Sequence, residues 1–409
     1  MSSAMTGFYA DLHVHIGQAG GRPVKITASS ALTLQGILTT ARSQKGLDLV
    51  GLVDAVTTAV RRELAEALAA GTLRSLGGGG LASRDGLVLL LGAEIELVLR
   101  GRPVHFLVFV PSMVELEAMA ARLEPYVKNP SLSTQQARDL GVAELVAWCE
   151  EWGAACLPAH AFTPHRGLYG AMDQLAAEPP RGLGTAVAPR LAALELGLSA
   201  DSAMADCCSE LHQLTFLSNS DAHSLPSMGR ECNELALRAA EWDEVRRCLQ
   251  RTGERQVLTN YGLDPVLGKY HRTFCAACGV QATDPPPVLR CSVCGQERLM
   301  TLGVADRLAQ VADRPFPEHP PHRPPYRKQV PLSMLPGVGT VTLRRLVEAL
   351  GPELFIAHQA PLERIAAVAG ERVGAVVDAM RRGTLVLQPG GGGRYGRVVG
   401  HGAARDRVG

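Results

Sequence analysis

The chain has 409 residues, 46% hydrophobic and 20% charged, ordinary values for two or three globular domains with a sizeable core. No apolar run reaches the roughly 18 residues of a membrane span, and the opening MSSAMTGFYADLHVH lacks the pattern of a signal peptide, so a soluble cytoplasmic protein is expected. The net charge of +1 conceals an asymmetry: residues 1–270 carry 23 Lys+Arg against 29 Asp+Glu, and residues 271–409 carry 18 against 11, an acidic front suited to metal and a basic back suited to a polyanion.

In chain order, residues 7–260 alternate strand-like runs (FYADLHVH, LDLVGLVDA, GLVLLLGAEIEL, VHFLVFVP, AACLPAHA, LAALELGLS, LTFLSNSDAH) with amphipathic helical stretches such as 60–70 and 142–152. Seven such units predict an α/β fold, a (β/α) barrel over residues 1–267 with its site at the strand ends. Gly77–Gly80 is expected to be a flexible loop, and 178–189 a surface insertion. A Cys-rich module follows over 268–313. A Pro-rich stretch at 314–331 reads as an extended linker, a helical module as 332–387, and 388–409 as a disordered tail.

The polar residues at the strand ends carry the chemistry. In DLHVH the alternation predicts that Asp11, His13 and His15 share one strand face, with Leu12 and Val14 on the other. Later strands bring Asp54, Glu94, His160, Asp221 and His223 to their ends, and His105 opens the fourth. A lone buried histidine is usually a core residue, but this many placements point to clustered metal ligands. A His-and-carboxylate set without Cys suits zinc, manganese or iron better than calcium, and Glu94 is placed to bridge two ions. Clustered ions activate water against a phosphate ester. His165 and His212 fit no such pattern and read as surface or core residues.

Four of the ten cysteines, Cys275, Cys278, Cys291 and Cys294, form C-x2-C-x12-C-x2-C. This spacing predicts one closed structural zinc site, with a redox role as the lesser reading. In LPGVGTVTLRRLVEALG, Gly337, Val338 and Gly339 precede a helix bearing Arg344 and Arg345, which resembles a helix-hairpin-helix motif; IAAVAGERVGAVVDAM is a degenerate second copy. Glycines there let backbone N–H groups approach a phosphate, so these five residues are the expected DNA contacts. The alternative is a small helical packing module.

DLHVH, GAEIE, PAHAF and NSDAH, in this order, resemble the polymerase-and-histidinol-phosphatase (PHP) family, whose fold is a distorted seven-stranded barrel with two or three metals. The resemblance implies one ion on His13, His15, Glu94 and Asp221, a second on Glu94, His105 and His160, and a third on Asp54 and His223. Ala55 stands where the family often has a histidine. PAHAFTP, GLSADSAMAD, LSNSDAHS, LGKYH and HRPPY extend the likeness over residues 7–330 to the family's endonuclease Q branch. That branch implies a metal-dependent DNA repair endonuclease that cuts 5′ of deaminated bases (uracil, hypoxanthine, xanthine) and abasic sites, leaving 3′-hydroxyl and 5′-phosphate. Zinc, manganese, magnesium or iron would serve in the barrel. Asp221, Glu94, His13 and, near the lesion pocket, Asp201 would be the catalytic residues. Damaged duplex DNA is the expected partner, with a replication or repair clamp as a further one, no membrane, and a nucleoid-associated location. The rival readings are a PHP phosphatase or exonuclease on small phosphate esters or DNA ends, and a non-catalytic DNA-binding scaffold.

Overall fold

The computed structural model describes residues 4–171 and 190–401; the insertion expected at 178–189 and the final residues of the expected tail lie outside the described residues. Seven strands form a ring: β1 (Thr6–Val14), β2 (Leu49–Leu52), β3 (Val88–Leu99), β4 (Arg102–Val110), β5 (Ala155–Pro158), β6 (Ala193–Glu195) and β7 (Thr215–Leu217). β1, β2 and β3 pair in parallel, β4 runs antiparallel to β3 and β5, and β6 pairs in parallel with β7. Two seams complete the circuit. Ala161 N–H donates to Glu195 O at 2.9 Å, and the chain leaving β7 runs beside β1 through a parallel Val14–Ala222 bridge. The two antiparallel neighbours of β4 are what distort the expected barrel. β8 (Cys232–Leu237), β9 (Gln256–Leu263) and β10 (Tyr326–Gln329) extend the sheet outward from β1.

Within the ring, Ala10 and Leu12 pack with Leu49, Leu90, Leu107, Leu157, Ala193 and Leu217, and Trp242 joins this cluster fully buried. On β3 the outward face carries Leu89, Leu91, Ala93, Ile95 and Leu97 into the outer core. The inward face continues from Val88 and Leu90 through Gly92 to Glu94 and Glu96. Apolar side chains therefore fill one end of the barrel and polar ones the other.

β1 departs from simple alternation. Its register against β2 shifts between Asp11 and Val14, a β-bulge that lets Leu12 and the following His13 both face inward. The bulge presses the Leu12 carbonyl against Gly51: a Cβ there would lie 2.5 Å from Leu12 O. Asp11, expected beside the histidines, instead accepts from Ser220 N–H at 3.0 Å and Gly229 N–H at 2.9 Å.

Three segments expected to be loose are seated. Gly79 and Gly80 are buried, and Gly79 O accepts from Trp242 N–H at 3.0 Å. The Pro-rich stretch is fastened by Arg323, whose buried guanidinium meets buried Asp206 at 2.9 Å, and by β10. Over 388–401 the expected disorder is replaced by a hairpin of β11 (Leu385–Gln388) and β12 (Arg397–His401). Its glycine turn lies backbone against backbone on the segment that leads into the Cys module, with Gly390 N–H to Val266 O at 2.8 Å and Gly396 N–H to Leu267 O at 2.9 Å; no apolar side chain is needed for that contact. Helices Thr340–Leu350, Glu353–His358, Leu362–Ala369 and Glu371–Arg381 share a core with Leu263 and Leu267. Lys45 joins Glu353 to the barrel at 2.7 Å. Among the described residues, no helix is long and apolar enough to cross a membrane.

Gly51→Ala tests the bulge. It should cost about 1–3 kcal/mol by overpacking and lower the divalent metal retained by the barrel, read by thermal melting and metal analysis. Native stability together with native metal content would show that the bulge does not depend on Gly51.

Candidate metal centre

The polar end of the barrel gathers His13 and His15 from the end of β1, Glu94 and Glu96 from β3, His105 from the start of antiparallel β4, His160 after β5, and Asp221 with His223 after β7. Their ligand atoms fall into three overlapping groups, each within 4.8 Å: His13, His15 and Glu94; His15, Asp221 and His223; Glu94, His105 and His160. Glu94 Oε1 lies 3.7 Å from His13 Nε2, 2.6 Å from His105 Nδ1 and 3.5 Å from His160 Nε2. Asp221 Oδ1 lies 3.5 Å from His13 Nε2 and 3.4 Å from His15 Nε2. His160 and Asp221 both hold positive φ, 30° and 46°, a strained backbone of the kind kept at functional sites.

What aims the histidines lies behind them. His13 Nδ1–H donates to Glu195 at 3.0 Å, and the same carboxylate accepts from His160 N–H at 2.9 Å and Asn219 Nδ2–H at 2.8 Å. His15 Nδ1–H donates to Asp54 at 3.1 Å, which also accepts from Ile16 N–H at 2.7 Å. Both Nε2 atoms are left buried without a hydrogen-bond partner, facing carboxylates. Imidazoles fixed by carboxylates with free nitrogens converging on acid oxygens are the donor set of a divalent-metal site. Asp54 stands behind His15 through Oδ2, outside the three groups, while its Oδ1 is buried without a hydrogen-bond partner; the neighbours of His223 are His15 and Asp221.

The electrostatics agree. Burial opposes a charge on His13, yet the carboxylates of Glu195, Asp221 and Glu94 raise it to about 10. Burial likewise opposes ionised Glu94, but His105 and Lys25 hold it well below the usual carboxylate range. Asp221 is depressed in the same way, by His13 and the histidines around it. Burial pushes His223 down to about 4 despite Asp221, which leaves it neutral and fit to ligate.

The centre opens into a cleft of about 200 Å³ whose rim includes Lys25, Thr27, Arg166, Lys269 and Tyr270. Lys25 Nζ reaches Glu94 at 3.2 Å. Arg166 is held by Glu96 at 3.0 Å, as is Arg138. Lys269 and Tyr270 open the Cys module, so two parts of the chain build one cleft. His165, expected outside the site, also lines it, its ring 5.1 Å from that of Tyr270. His212 instead bonds the carbonyl of Asp206 at 3.1 Å. Asp201, expected near the lesion pocket, caps helix Ser202–Ala205 through Met204 N–H at 2.8 Å and pairs with Lys328 at 3.1 Å, two residues from Ser199 on the cleft wall. Glu195 and Lys25 were missed from sequence. The signal for Glu195 was a single acid inside the apolar strand LAALELGLS; Lys25 had none.

Cys275 and Cys294 approach to 3.6 Å between sulfurs, and Cys278 and Cys291 to 3.5 Å, close to the roughly 3.8 Å edge of a tetrahedral zinc tetrathiolate. Knuckle N–H groups of Cys294 and Val293 pull the Cys291 thiol down, while desolvation and the crowded neighbouring sulfurs push Cys278 up, so without a cation the four sulfurs favour a thiolate at Cys291 and a retained proton at Cys278. In the helical module Gly337 holds φ 88°. Gly339 caps Thr340–Leu350, with open space where its Cβ would be. Val338 is buried in the module's core; Arg344 and Arg345 are both exposed, Arg345 donating to Val368 O at 2.6 Å and Arg344 lying 4.0 Å from Glu348.

No family model matches the chain. It is 40% identical over 402 residues to the uncharacterised protein YqxK of Bacillus subtilis, covering 96% of this chain and 100% of that one. The crystal structure of the lesion-specific endonuclease PfuEndoQ from Pyrococcus furiosus matches with a TM-score of 0.80 and 32% identity, over 96% of this chain and 95% of that one. Endonuclease Q bound to a 27-mer duplex substrate with an abasic lesion at the active site matches with 0.81 and 31%, over 96% of each chain. Likeness of this extent and identity places the chain in the endonuclease Q family.

Proposed function

We propose that this protein is a metal-dependent DNA endonuclease that hydrolyses the phosphodiester 5′ of deaminated bases (uracil, hypoxanthine, xanthine) and abasic sites, leaving 3′-hydroxyl and 5′-phosphate. The observation that carries the reading is the convergence of three overlapping His/carboxylate groups, sharing Glu94, His15 and a cationic cleft, in a chain that matches a lesion-bound endonuclease from end to end. His13, His15, Glu94 and Asp221 would hold one ion, Glu94, His105 and His160 a second, and His223 with His15 and Asp221 a further one. Divalent ions bound there would supply water activation and shielding of phosphate charge.

The chain's own groups do the rest. Glu195 and Asp54 keep the Nδ1 protons of His13 and His15 in place, so the Nε2 lone pairs point inward. Lys25 meets a phosphate oxygen at the ions, and Arg166 and Lys269 take the phosphates that flank it. Those contacts orient the backbone without reading sequence, so lesion choice falls to the cleft, which accepts a nucleotide extruded from the stack; damaged and mispaired bases leave the stack most easily. Four thiolates on one zinc would fix the module that carries Lys269 and Tyr270 to the cleft. Gly337, Gly339 and Arg344 add sequence-independent contact to the DNA backbone.

Asp221→Asn should lower nicking of a duplex with one deoxyuridine or one abasic site at least about 100-fold, while affinity for that duplex changes little. Full nicking activity would remove Asp221 from the metal set. A Cys291→Ser, Cys294→Ser double variant should lose about one zinc per chain and leave barrel metal in place; undiminished zinc content would refute the tetrathiolate site. Gly339→Glu, which the open space around Gly339 accommodates, sets a negative charge at a helix N-terminus. It should weaken binding to damaged and undamaged duplexes by similar factors and make the salt dependence shallower. A salt titration giving unchanged affinity and slope would leave the module with a packing role alone.

A further inference from the structure

Ile26 stands on the rim of the cleft and takes no part in the chemistry above. Its side chain is 73% exposed, although isoleucine is a residue that folding usually buries. It lies at the apex of a turn closed by Ala28 N–H donating to Lys25 O at 2.9 Å, and the residues on either side, Lys25 and Thr27, line the cleft. Val24 below it is buried and Ala28 packs on the core, so the turn is seated while Ile26 projects.

The turn is also tied to the metal centre. Lys25 N–H donates to Ile16 O at 3.0 Å, Ser29 N–H to His223 O at 2.8 Å, and Ser133 N–H to Val24 O at 2.9 Å. Ile16 follows His15, and His223 is itself a member of a ligand group, so the backbone of the turn that carries Ile26 is tied to the segments that carry those groups. A β-branched side chain adds stiffness of its own. Extruding a nucleotide leaves a gap in the duplex where stacking is lost, and apolar side chains inserted between base steps stabilise such gaps.

We propose that Ile26 is a wedge that enters the base stack of duplex DNA at the place the damaged nucleotide vacates, while the cleft holds the extruded nucleotide. The inference rests on the nuclease reading, and its test separates the two. Wild type, Ile26→Ala and Ile26→Leu are compared on a duplex with one deoxyuridine opposite adenine and on the same strand alone. A parallel binding experiment reads the fluorescence of 2-aminopurine placed next to the lesion, which rises on unstacking.

Ile26→Ala should slow duplex nicking by roughly tenfold or more and reduce the binding-induced fluorescence rise, with single-strand nicking within about twofold; Ile26→Leu should restore most of the duplex rate. An unchanged duplex rate, or equal losses on duplex and single strand, would overturn the wedge. Wild-type protein that nicks neither substrate would overturn the nuclease reading instead, and the fluorescence rise in the two variants would then decide the wedge by itself.

Discussion

The bulge at Leu12–His13 is the constraint on which the metal centre depends. A regular β1 would have to send Leu12 and His13 to opposite faces, leaving the barrel either without its apolar filling or without its first ligand. One register shift lets Leu12 close the apolar end and His13 begin the polar end. The room for it comes from Gly51, the one residue type with no Cβ to meet the displaced Leu12 carbonyl. The same bulge frees Asp11 to accept from Ser220 and Gly229, which anchors the segment that carries Asp221 and His223.

Around that strand the acids divide into two roles by position. Glu94 and Asp221 face the centre, where the imidazoles around them hold both ionised in spite of burial. Glu195 and Asp54 stand behind the histidines and fix which nitrogen carries the proton. An acid-rich buried cluster of this kind is costly without a cation. The carboxylates around His13 raise its affinity for a proton; the same negative field would favour a divalent ion.

The cleft is assembled from parts distant in sequence, which explains why the parts beyond the barrel are fastened to it. Lys269 and Tyr270 reach the cleft because the Cys module starts directly beneath the glycine turn of the last hairpin, and that turn packs on Val266 and Leu267 through backbone contacts. Arg323 and Asp206, both buried, fix the Pro-rich segment on its way to β10. Removing one partner of such a pair leaves the other charge buried and unpaired, which is why pairs of this kind lock the path of a chain. The helical module then rests on Lys45 and on the core it shares with β9.

The sequence by itself determined the kinds of ligand, their order along the chain and their arrival at strand ends, because alternation and strand spacing are local properties. The C-x2-C-x12-C-x2-C spacing and the glycine before helix Thr340–Leu350 were legible for the same reason. Only the tertiary structure decided which acid faces the centre and which stands behind a histidine. Glu195 meets His13 across 182 residues of chain, and Asp54 spends one oxygen on His15 and Ile16. It also decided that Asp201 caps a helix, that Val338 is buried in the module's core, and that residues 385–401 form a hairpin. Each of these depends on a partner far away in sequence, or on backbone brought against backbone, and neither leaves a periodic mark on the residues involved.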